Sequence, residues 1–90
     1  MEVAVFKDQY YDEINKCTEF YFTCPTVGKT LRVGQYSTHK WEELPKTLQL
    51  FLTENATIGC IYADKSLSAL EREEKCSKVD EYFKNQRELL

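Results

Sequence analysis

The sequence predicts an α+β fold: a small antiparallel sheet packed with two helices, in the order β-β-β-α-β-α. Three observations carry this expectation. Residues 18–36 alternate like two consecutive strands around a turn, residues 37–55 change to a four-residue apolar rhythm, and the last quarter of the chain is charged and helix-capped. Ninety residues with 42% hydrophobic and 30% charged content, and only 3 Gly and 2 Pro, describe one domain over residues 1–90. A chain this short makes a thin core, so its six Tyr, five Phe and one Trp must supply much of it.

The first strand is expected over residues 2–7, with Val3 and Val5 on one side and Ala4 and Phe6 on the other. Beyond it, Asp8–Lys16 reads either as a helical turn capped by Asp8 or as more strand ending in a turn at 12–16. The second reading is preferred, because it joins neighbouring strands by a short connection. The hairpin then follows. Phe20, Phe22 and Cys24 share one face and Glu19, Tyr21 and Thr23 the other; Leu31 and Val33 point inward, Thr30 and Arg32 outward. Between the runs, Pro25-Thr26-Val27-Gly28 combines a fixed φ at turn entry with a residue free to take positive φ at exit.

In the next segment Leu44, Leu48 and Leu52 fall on one helical face, flanked by Trp41 and Phe51. Pro45 costs about 3 kcal/mol in a helix interior, so the helix starts near Leu44 or is led in by a short turn at 39–43. Asn55 is expected to end it. The apolar run Thr57–Ala63 then reads as a central strand. Asp64 or Ser66 opens the final helix, where Ser68 and Glu71 have capping-box spacing and Glu71–Lys75, Glu74–Lys78 and Asp80–Lys84 are spaced for ion pairs. On that helix Leu67 and Leu70 point one way and Val79, Tyr82, Phe83, Leu89 and Leu90 another. One straight helix cannot bury both sets on one surface, so it bends near 72–76 or its far half meets a partner. The expected core is Phe20, Phe22, Leu31, Val33, Leu48, Leu52, Ile58 and Ile61.

Functional signals are sparse. The net charge of −3 is spread without a one-signed block, so the basic stripe that nucleic-acid binding requires is missing. Gly28-Lys29-Thr30 looks like the end of a phosphate loop, but Thr23 stands where the first glycine is required and a strand follows where a helix is required. The four cysteines and His39 lack metal-knuckle spacing, so no metal or cofactor is expected. No catalytic set is expected either: His39 reads as a solvated helix-start residue, and neighbouring acids such as Glu42-Glu43 do not face one another. Asn55-Ala56-Thr57 fits the glycosylation sequon but reads as a helix end.

The opening residues show no export signal and no stretch reaches membrane-span length, which leads to a cytoplasmic expectation with Cys17, Cys24, Cys60 and Cys76 as free thiols. The functional expectation is a small acidic binding protein, not an enzyme. It would act by protein–protein contact, as accessory or inhibitor proteins of viruses and mobile elements do. The expected contact residues are Tyr21, Arg32 and Tyr36 on the outer sheet face and Val79, Tyr82 and Phe83 on the last helix, with a homodimer as the simplest association. The alternative is a homodimer that binds a small ligand or nucleotide in a cleft between subunits.

Overall fold

The computed structural model describes all residues, Met1–Leu90. Three strands form an antiparallel meander in the order β1-β2-β3: β1 (Val5–Asp12), β2 (Cys17–Thr23) and β3 (Thr30–Tyr36). A short 3-10 turn (Trp41–Glu43) leads into α1 (Lys46–Ala63), and α2 (Ala69–Glu88) follows. The class is therefore α+β, but the order is β-β-β-α-α, preceded by that turn. No helix is long and apolar enough to cross a membrane.

The β1–β2 turn is held by Asp12, whose carboxylate accepts from the Ile14 and Asn15 backbone N–H groups and from the Asn15 amide, and Lys16 takes a φ of 54°. The β2–β3 turn places Gly28 at a φ of 68°, where only glycine is unstrained. Its backbone closes on itself: Gly28 N–H donates to the Cys24 carbonyl at 2.8 Å and Cys24 N–H to the Lys29 carbonyl at 2.7 Å.

The expected strand at 57–63 is absent. Those residues continue α1 for two more turns, because nothing at Asn55 stops the helix. The four-residue stripe runs on from Leu48 and Leu52 to Ala56 and Cys60. An apolar run this short does not itself distinguish a buried helix from a strand. Thr53 and Thr57 donate their hydroxyls to the carbonyls four residues back. Thr57 is buried and also accepts from the Ala4 N–H at 3.0 Å, which ties the N-terminal segment to α1.

The core lies between the inner sheet face and α1. Phe20, Phe22, Leu44, Leu52, Ala4 and Ala56 are buried together, with Phe6, Trp41 and Tyr36 against them. Phe6 and Trp41 stack at 4.7 Å. Of the expected core, Phe20, Phe22 and Leu52 are buried; Leu31 and Val33 of β3 are half-buried because one helix cannot cover the whole sheet, and Leu48, Ile58 and Ile61, all on α1, are half-buried as well. Gly34 lets α1 approach closely: a Cβ there would stand 3.0 Å from Leu52.

The disulfide Cys24–Cys60 overturns the expectation of four free thiols. It links the end of β2 to the last turns of α1, and Cys17 and Cys76 are free. Spacing in the sequence does not single out this pair among the possible ones.

The helix α2 begins at the expected capping box, Ser68 Oγ accepting from Glu71 N–H and the Glu71 carboxylate accepting from Ser68 N–H. It runs unbroken, without the expected bend, and packs on α1. Arg72, Cys76, Val79, Phe83 and Gln86 form its covered seam, spaced 4-3-4-3. Of the competing apolar pair, Leu67 lies half-buried ahead of the helix and Leu70 stands 65% exposed, so the two do not form a second packing face of α2. The three ion pairs expected along this helix are not formed; the two ion pairs of the structure are Arg32–Glu19 at 3.0 Å and Arg87–Glu54 at 2.6 Å, the second joining α2 to α1.

Candidate functional site

The helices occupy one side of the sheet, and the side chains of the opposite phase form an outer face. Strand β2 supplies its centre: Thr18, Phe20 and Phe22 are buried, while Cys17, Glu19, Tyr21 and Thr23 are half-buried and point the other way. Glu19 sits between Arg32 and Gln35 of β3. Its carboxylate accepts from Arg32 at 3.0 Å, from Gln35 at 2.9 Å and from the Tyr21 hydroxyl at 3.1 Å. These donors, the Gln35 amide first and then Arg32, hold the Glu19 carboxyl below its ordinary range. Partial burial and the Glu19 carboxylate together raise the Tyr21 phenol above its own. Tyr21 is therefore a neutral donor with a fixed ring, and Tyr10 of β1 meets it edge to face at 5.3 Å.

Two bulges decide which tyrosines stand on this face. In β3 the register shifts between Gly34 and Arg32, leaving Val33 as the extra residue. Every residue beyond a bulge changes sides, so Tyr36 pairs with buried Thr18, points inward and packs 6.1 Å from Phe20. The expectation of Tyr36 as an outer contact residue is thereby corrected. In β1 the shift falls between Phe6 and Asp8, with Lys7 extra. An unbroken alternation from Phe6 would send Tyr10 inward; the bulge turns it out beside Glu19 and Tyr21, 56% exposed. The two bulges exchange one aromatic for the other.

Tyr21 and Arg32 thus lie where the sequence placed them, directly paired across β2 and β3. The helix residues fare differently. Val79 and Phe83 are buried against α1, because they belong to the α1–α2 seam, and this corrects their placement on a partner surface. Tyr82 remains 39% exposed, with its ring edge-on to Phe83 at 5.0 Å. The expected patch on α2 is accordingly divided between the interior and solvent. For Tyr10, which alternation from Phe6 would send inward, the sequence holds one signal: charged Asp8 stands where strict alternation after Phe6 demands an apolar residue.

No group of three or more His, Cys, Asp or Glu side chains converges as metal ligands would. The face has the parts of a contact surface: two rigid aromatics, an arginine with one of its five donors engaged, and a carboxylate that orders them. Comparison of the chain with protein-family models, with curated proteins and with solved structures finds no match.

Proposed function

We propose that this protein acts by protein–protein contact through the outer face of its sheet. The observation that carries the reading is the ordered cluster Tyr10–Tyr21–Glu19–Arg32–Gln35 on the side of the sheet that no helix covers. Tyrosine and arginine are enriched among the few residues that dominate binding energy, and here their geometry is set before a partner arrives. The partner fitting this surface presents apolar side chains to the tyrosine pair and a carboxylate to the free donors of Arg32. An accessory or inhibitor role is the class of activity that requires only such a contact.

The test uses the outer face alone. The double variant Tyr10→Ser/Tyr21→Ser, and separately Arg32→Glu, should lose the partner captured by the wild type from host extract while keeping the melting temperature. If both variants retain the same partner at the same affinity, the face is not the contact surface.

The Cys24–Cys60 bond is the chemistry of an oxidising compartment, and that is the setting this reading favours for the contact. Alkylation of the native protein, denatured without reduction, tests the bond: two reactive thiols are expected, and four would remove it.

A further inference from the structure

On the helical side of the molecule, the N-terminal segment, the β2–β3 turn, the end of α1 and the first half of α2 enclose an open cleft of about 480 Å³. That volume lies within the range of small-molecule sites. Ala4 and Val79 line it as buried residues, and Cys60, Ile61 and Leu67 line it as half-buried ones. The cleft therefore has an apolar wall, to which Cys60 of the disulfide contributes.

Its charged groups are unequally engaged. Two acids stand at the cleft, Glu2 and Asp64, and both are taken up locally. The Glu2 carboxylate accepts from the Thr26 hydroxyl, and Asp64 accepts from the Ser66 backbone at 3.0 Å and hydroxyl at 2.6 Å. Two ammonium groups also line it, Lys75 and Lys78, three residues apart and so neighbours on the helix surface. Neither belongs to an ion pair. Glu71, four residues before Lys75, is drawn into the capping box, and Asp64 feels the Lys75 charge without reaching ion-pair distance. In a chain of net charge −3, two unpaired cations beside an apolar wall call for an anion that has an apolar body.

We propose that this cleft binds a small amphiphilic carboxylate. Its aliphatic or aromatic body lies against Cys60, Ile61 and Leu67, and its carboxylate lies between Lys75 and Lys78. An inorganic anion would leave the wall in water, and a neutral apolar molecule would leave both ammonium groups unanswered. The site is separate from the outer sheet face, so Tyr10→Ser/Tyr21→Ser leaves it unchanged and either reading can fail alone.

Decanoate is the probe, with decanol and inorganic phosphate as controls, measured by calorimetry and by amide chemical shifts on the intact, oxidised chain. The expected result is one decanoate per chain, with shift changes at Ala4, Ile61 and Lys75–Val79 and binding at least tenfold weaker for both controls. Lys75→Gln/Lys78→Gln, two exposed positions whose replacement leaves the fold intact by circular dichroism, should weaken decanoate at least tenfold and make its affinity insensitive to salt. The proposal is overturned if decanoate does not bind, if decanol binds as well, if the double variant binds unchanged, or if the shifts fall outside the cleft.

Discussion

The two faces of β2 are made from alternate residues of one seven-residue strand, yet they are organised by different physics. Inward, Phe20 and Phe22 are wholly buried, with Phe6, Trp41, Tyr36 and Leu52 around them. Outward, Glu19 and Tyr21 are joined to Arg32 and Gln35 by hydrogen bonds in partial contact with water. The inner face gains its stability from area removed from solvent, and the outer face gains order from directional bonds whose net worth is small because water competes for them. A strand built this way separates the task of holding the fold from the task of presenting a surface. Substitutions on one face should then leave the other largely as it was.

The largest effect should come from the inner face. Phe22→Ala removes a ring from a site with no remaining exposure and should cost about 3–5 kcal/mol, a large share of the stability of a domain this size. Chemical denaturation measures it. A loss below about 1 kcal/mol would mean that the inner face is not the main source of stability.

Next in size is the covalent part of that face. The disulfide joins residues separated by 36 positions, and replacing both cysteines by alanine should cost about 2–4 kcal/mol through the extra freedom of the unfolded chain. Reduction of the wild type should give a similar loss. If the double variant unfolds at the same denaturant concentration as the oxidised wild type, the bond adds nothing to the inner face.

The smallest effect belongs to the outer face and depends on pH. Glu19 has a folded value held below its unfolded one, so whatever it contributes is complete above the ordinary glutamate value of about 4.3 and is lost as pH falls through the lowered folded value. In an NMR titration the Glu19 carboxyl should have its midpoint below that ordinary value, and Arg32→Ala/Gln35→Ala should bring it back up. The Trp41 and Phe20 signals should stay in place in that variant at neutral pH. Their movement would show that the two faces are coupled and not separate.

How much of this was legible in the sequence differs by element for physical reasons. The hairpin was readable because alternation over β2, a turn proline and a positive-φ glycine all say the same thing, and the capping box of α2 was readable because it is a local geometry written in two residues. The second half of α1 was not, since six apolar or β-branched residues suit a buried helix as well as a strand and only the sheet's actual extent decides. Bulges at Lys7 and Val33 were also hidden. Each adds one residue to a register that period-two reasoning takes as unbroken, which is why alternation alone sends Tyr36 outward and gives no place to Tyr10 on the outer face. The pairing of Cys24 with Cys60 and the convergence of Lys75 and Lys78 with Ile61 on one cleft are relations between distant segments. No local pattern records them.

The bond between Cys24 and Cys60 also divides the chain into a covalent ring and two tails. The ring contains β3, the 3-10 turn and most of α1; β1 and β2 precede it and α2 follows it. A single proteolytic cut inside the ring, at the exposed Ser37–Lys40 segment for example, releases no fragment until the bond is reduced. A cut in the linker at 64–68, by contrast, frees α2 from covalent attachment at once. Ordinary and reducing gels of the same digest therefore read the topology directly, because α2 is the one helix outside the ring and, once its linker is cut, is held by non-covalent contact alone.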